Sequence, residues 1–239
     1  EAGAYTTDLF VANASPFARS IRLEWVASGL WTPAGSVVLP LGLPPSTQLL
    51  LDDFVEALRD SGVPGIPPRG GSLAGALFVA VEGGDAEGLL LGSRVTTPAT
   101  GAAGRYGVFL PAARPDGLAS GSAFLPVSQP ACIARTNLAI VNAGEAGSGS
   151  SVFRVDVWDG ASREPLGVET GLVVPERGFL QLSPLVPPCA PNHRELVVTV
   201  TRTGGGAPFL AYAVLNDGAR PGEGTGDGGV IGMRVEPLP

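Results

Sequence analysis

The sequence predicts an all-β chain: two tandem immunoglobulin-like β-sandwich domains related by internal duplication, with one short helix in the first. Three observations predict it. Glycine and proline, 35 and 23 of 239 residues, make up about a quarter of the chain without a G-X-Y period, which excludes collagen and long helical bundles and favours short strands joined by turns. Several short segments alternate apolar and polar residues, the period of a strand with one buried face. Finally, blocks of the first half recur in order in the second, as a duplicated unit requires.

The repeat is read block by block. Thr7–Ala14 (T-D-L-F-V-A-N-A) matches Thr136–Ala143 (T-N-L-A-I-V-N-A), with four of eight positions identical. Ile21–Trp25 (I-R-L-E-W) matches Phe153–Val157 (F-R-V-D-V), and the nine residues from Leu43 align with the nine from Val174. Leu77–Val81 and Leu89–Val95 align with Val197–Thr201 and Phe209–Leu215. The offset drifts from 129 to 132 and back to 120, as loop insertions make it.

Within the blocks, Thr6–Val11 and Ile21, Leu23 and Trp25 carry the two-residue period. Phe153, Val155 and Val157 alternate with Arg154 and Asp156, which predicts apolar groups inward and both charges in water. Leu196–Thr201 is rich in β-branched residues and stops at Gly204–Gly206. Asp159-Gly160 reads as a type I′ hairpin turn, and Asn216-Asp217-Gly218 as a further turn. Asp52–Arg59 reads as the helix, with carboxylates at its start and Gly62 past its end. Its counterpart, Ser183-Pro184-Leu185, is too short and proline-rich for more than a turn. About seven short strands in roughly 110 residues is the arithmetic of an immunoglobulin-like sandwich. The predicted division is domain 1 over 1–112, a connector of small residues, Pro and Gly over 113–129, and domain 2 over 130–239.

The blocks Arg135–Ala143, Val174–Leu182 and Pro208–Asp217 resemble tandem β-sandwich repeat modules of large secreted and surface proteins of bacteria. Tyr106–Pro111 extends the resemblance to the first half. The resemblance implies an extracellular architectural part and brings no catalytic, cofactor or metal residue with it.

Composition narrows the function classes. A 44% hydrophobic and 15% charged chain has enough apolar surface for a core and is not disordered. There is no lysine, so all fifteen cations are arginine, as a GC-rich genome produces; this removes P-loop, Schiff-base and kinase lysines together. A net charge of −7 argues against nucleic acid as a partner. No run approaches the ~18 apolar residues of a membrane helix, so no membrane insertion is expected; Pro40, Pro44 and Pro45 cut the longest. The numbering opens at Glu1 without an initiator Met or a leader segment, which leaves open a removed signal peptide or a trimmed chain. Cys132 and Cys189, the only cysteines, are expected to form a disulfide. Closing a loop of about 58 residues, it would contribute roughly 4 kcal/mol and place the chain in an oxidising, secreted or cell-surface compartment.

Candidate sites are few. His193 is the sole histidine, and no G-x-S-x-G elbow accompanies it; Gly147–Ser151 is a flexible loop instead. Asp52/Asp53 reads as a helix start, and Glu223/Asp227 sits in a glycine-rich loop, Gly222–Gly229, that offers calcium ligands without EF-hand spacing. Gly70-Gly71, Gly83-Gly84 and Gly204–Gly206 open no helix and read as turns rather than phosphate cradles. Trp25 is expected in the core, while Trp31 and Trp158 are candidates for a sugar-stacking surface.

No catalytic, cofactor or metal site is therefore expected. The expectation is a non-enzymatic extracellular structural protein, a building block of a bacterial surface fibre, pilus-like filament or adhesin rod. Its partners would be copies of itself or other surface proteins. The alternative is a carbohydrate- or receptor-binding accessory module of a larger secreted protein. Tyr5–Val11 is expected to pair as the first strand of its own domain; the competing reading adds it to a neighbour's sheet.

Overall fold

The computed structural model describes residues 5–27, 37–60, 62, 74–98, 104–128, 135–185, 195–216 and 228–235. The chain divides into two compact units, the described residues up to Ala112 and those from Ala113 onward. Among the described residues it is mostly β-strand, in four antiparallel sheets, two in each unit.

The first unit runs β1 (Thr6–Asn13), β2 (Arg19–Ala27), β3 (Val37–Leu43), β4 (Thr47–Leu51), α1 (Phe54–Asp60), β5 (Gly75–Glu82), β6 (Leu89–Pro98) and β7 (Arg105–Pro111). One sheet has the order β4-β1-β6-β7, the other β3-β2-β5. Alternate residues supply a shared core: Leu9 and Val11 of β1 from the first sheet, Ile21, Leu23 and Trp25 of β2 from the second, closed by Leu43 and Leu89. Each fully buried aliphatic or aromatic side chain contributes about 1.5–3 kcal/mol, so this core rather than local propensity joins the sheets.

Helix α1 begins two residues later than expected. Asp53 adopts φ +46°, left-handed and non-helical, and its N–H donates to Asp8 Oδ1 at 3.1 Å. Its carbonyl accepts the first helical bond, from the Ala57 N–H. Phe54 and Leu58, one turn apart, are buried; Glu56 and Arg59 pair at 3.1 Å on the other side. Gly62, at φ +66°, ends the element.

The second unit contains β8 (Ser122–Ser128), β9 (Arg135–Asn142), β10 (Ser151–Asp159), β11 (Pro165–Val174), β12 (Phe179–Leu182), β13 (Glu195–Gly204), β14 (Phe209–Asn216) and β15 (Gly228–Gly232). Its sheets are β12-β9-β14-β15 and β11-β10-β13-β8. Phe153, Val155, Val198 and Val200 face Leu138, Ile140, Phe209 and Ala211 across its core.

The two units share more than strand order. Val11 pairs with Leu49 and Leu91, and Ile140, 129 residues on, pairs with Leu180 and Ala211. Leu23 pairs with Val79, and Val155 with Val200. Leu77 therefore corresponds to Val198, not Val197: the sequence alignment at β5 is one residue out, which in a strand exchanges the faces. β8 alone has no described counterpart in the first unit.

Several expectations are corrected. Residues 113–129 are not a plain connector: Ala119 bridges Phe209, and Ala123, Leu125 and Val127 alternate into the core from β8. Pro126 is tolerated within the strand because β8 lies at a sheet edge. The Asp159-Gly160 turn is not type I′. Asp159 Oδ1 accepts the N–H groups of Ala161 and Ser162, and Arg163 takes the positive φ in a longer loop. Asp156 is not in water but buried, chelated by Arg154 through bonds of 2.6–3.0 Å. The Cys132–Cys189 disulfide is corrected as well: among the described residues there is no disulfide, both cysteines lie outside them, and the second unit's described architecture is held by its ladders and core.

Candidate functional site

The most distinctive surface is the outer face of sheet β4-β1-β6-β7. Because Leu9 and Val11 point inward, Phe10 points outward, and the register sets it beside Leu50 on one side and Gly92 on the other. Phe109, from β7, lays its ring over Gly92, with its centroid 6.0 Å from that of Phe10 and the rings edge to face. Gly92 leaves room for this ring, since a Cβ there would meet the tip of Phe109 and displace it. Leu50, Leu90 and Phe109 are 45, 65 and 53% exposed, so this apolar stripe faces outward from the unit. Sequence reasoning missed it, although the signal was present. In Leu49-Leu50-Leu51 and Leu89-Leu90-Leu91, a half-buried strand must turn the middle leucine away from the core. The second unit places Gln181 where Leu50 stands and Tyr212 where Gly92 stands. Burial pushes the Tyr212 phenol up to about 12.

The second unit has an open recess of about 290 Å³ lined by Val157, Gly167, Glu169, Gln181, Ser183 and Leu185 among others. Ser183 Oγ donates to Asn137 Oδ1 at 2.6 Å, so the hydroxyl is engaged with an amide rather than a base. Asn137 is the counterpart of Asp8, and this bond replaces the one by which Asp8 anchors the start of α1. The recess can hydrogen-bond a polar group, and its one described hydroxyl–amide bond is that of Ser183 to Asn137.

Glu176 is a local clamp. Its carboxylate accepts the N–H groups of Gly147 and Gly149 at 2.7 and 3.1 Å, and these bonds hold its pKa below the ordinary value. A depressed carboxylate stabilises the fold above its unfolded pKa, and that contribution is lost as pH falls through the folded one. Hence the amide resonances of Gly147 and Gly149 will shift together in acid, with a midpoint below that of a free Glu side chain. In Glu176→Gln the transition will be gone. A midpoint at or above the free value would contradict the clamp.

The sequence candidates scatter. Asp52 and Asp53 form the turn before α1, as expected of a helix start. Gly83 and Gly205 lie in turns with positive φ. Trp25 is buried against Phe54, with ring centroids 6.4 Å apart. Trp158 is 38% exposed on β10, and among the described residues no other ring contacts it. His193, Trp31, Cys132, Cys189, Gly70, Gly71, Glu223 and Asp227 lie outside the described residues. So does most of the Gly222–Gly229 loop, whose last two glycines open β15. β1 is paired on both sides, by β4 and β6, within its own unit. Among the described residues no three His, Cys, Asp or Glu side chains converge on one point, and no helix is long and apolar enough to cross a membrane.

Compared with protein-family models, curated proteins and solved structures, the chain has no significant match.

Proposed function

We propose that the chain is a non-enzymatic structural protein of the bacterial cell exterior, built by duplication of one immunoglobulin-like sandwich and working as a segment of a surface fibre or adhesin rod. One observation carries the reading: the same strand order and ladder register occur twice, in two units whose cores share few identical side chains. Repetition of a scaffold with divergent packing is what a modular spacer requires, since each copy needs only to fold and to meet a neighbour. The first unit has the seven strands and the four-plus-three split of the immunoglobulin class, though β1 lies between β4 and β6 instead of beside β2, and the second unit adds β8 to the same arrangement as an eighth strand. The exposed stripe of Leu50, Phe10, Leu90 and Phe109 gives the first unit a face on which a neighbouring copy can pack.

Negative-stain microscopy of concentrated protein tests this. Ordered chains or fibres that shorten in Phe109→Ser are expected. Only monodisperse 24.1 kDa particles at every concentration would overturn the proposal.

A further inference from the structure

The sheets containing β2 and β10 match in register but end differently. In the second unit β13 is followed by β8; in the first, no described strand lies beyond β5. The effect on burial is local. Leu196, Val198 and Val200, which β8 flanks, are buried, whereas Leu77, Val79 and Val81 on β5 are only half-buried.

Hydrogen-bond parity identifies the open groups. The Arg202 N–H donates to Gly121 O at 2.9 Å, and Gly160 N–H donates to Glu195 O at 2.8 Å on the opposite side. Alternate residues of β13, including Val198 and Val200, therefore turn their N–H and C=O toward β8. The same register turns those of Leu77, Val79 and Val81 away from β2, toward the edge where no described strand lies.

Edges that must stay single are normally blunted. β8 is: Pro126 has no N–H, and the outward N–H of Phe124 is taken by Arg234 O at 2.9 Å. β3 carries Pro40, and β11 carries Pro165 and register shifts. By contrast, β5 pairs with β2 through eight residues without proline, bulge or lysine.

From this we infer that the edge of β5 beyond which no described strand lies is a strand-acceptor site. Its occupant is an extended, uncharged segment of another polypeptide chain, with small or branched apolar residues at alternate positions. β8 itself shows the chemistry. Ser122–Ser128 carries no charge, and Ala123, Leu125 and Val127 enter the core while their backbone pairs with Val200, Val198 and Leu196. On β5 the corresponding partners are Val79, Leu77 and Gly75. The inference rests on the equivalence of the two units and not on filament formation.

The test is anisotropy of a labelled peptide with the sequence of Ala119–Ser128, titrated with the full chain. Saturable one-to-one binding is expected. Val79→Pro removes an N–H that does not serve the β2 ladder, so this variant should keep its circular dichroism and urea midpoint while binding at least about tenfold more weakly. A peptide N-methylated at the positions of Ala123, Leu125 and Val127 should not bind the unaltered protein, which tests the site even if Val79→Pro fails to fold. No saturable binding at millimolar peptide would overturn the inference. So would binding indifferent to Val79→Pro, which would mean capture at β13 by displacement of β8. Fibres without peptide capture would remove the acceptor edge and leave the structural role standing; capture without fibres would do the reverse.

Discussion

Phe209→Ala will destabilise the second unit by about 4 kcal/mol, the largest single-residue loss expected in the chain. Phe209 on β14 and Phe153 on β10 belong to different sheets, are fully buried, and meet edge to face with centroids 5.0 Å apart. The contact spans the space between the layers, so truncation opens a cavity that neither sheet can close without leaving its ladder. Several neighbours are small: Ala119 bridges Phe209, and Ala211 and Ala213 follow it on the same face. Phe109→Ala is the control, since its ring is half in water and its loss should cost no more than about 0.5 kcal/mol. Urea melts of the two variants decide the matter; a Phe209→Ala loss under about 1 kcal/mol would mean that the two layers do not depend on this contact. The first unit shows why the site is specific. It has Ile21 and Leu89 at the corresponding positions, and its aromatic pair, Trp25 with Phe54, uses a ring supplied by α1.

Much of this architecture was legible because strand periodicity is a short-range signal. The alternation at Leu9 and Val11, at Ile21 to Trp25 and at Phe153 to Val157 needs only a count of two, and it placed three strands and the inward residues of each. What it could not give is what partner strands decide. The stretch around Pro126 reads as a connector until β13 is seen beside it, with the proline's nitrogen turned to the outside. Val197 and Val198 are equally good candidates for the core in a run of β-branched residues, and only pairing with Trp158 and Val157 separates them. Gly160 looked like the turn residue because local sequence cannot show that Asp159 folds back onto two backbone N–H groups. The outward stripe was missed for a related reason: composition places phenylalanine and leucine inside, whereas Gly92 and the Leu triplets set where they face.

Asn13→Ala and Asn142→Ala will each cost about 3 kcal/mol, an effect out of proportion to the atoms removed. In the sequence these residues were only an identity within a repeated block. In the structure each ends the first strand of its ladder, fully buried, and ties its sheet to the other. Asn13 Nδ2 donates to Leu43 O, Pro44 O and Phe17 O at 2.8–3.2 Å, and Oδ1 accepts from the Ser15 N–H and hydroxyl. Asn142 Nδ2 donates to Val174 O and Gly149 O, and Oδ1 accepts the Gly144 N–H. Leu43 and Val174 are corresponding last residues of β3 and β11, so the same knot closes the same corner twice. Alanine would leave two or more buried backbone groups without partners, each costing about 1–3 kcal/mol. Aspartate is the sharper probe. It keeps the shape and the Oδ1 acceptor but aims a second oxygen at carbonyls, and burial raises its pKa, so Asn142→Asp should be at least as damaging as alanine at neutral pH. Because a carboxyl with a raised folded-state pKa destabilises most above that pKa, the deficit should shrink as pH falls and the protonated acid can donate once. Urea midpoints at acid and neutral pH measure this directly. A pH-independent Asn142→Asp deficit, or an alanine cost near zero, would mean that the buried amide does not hold the corner.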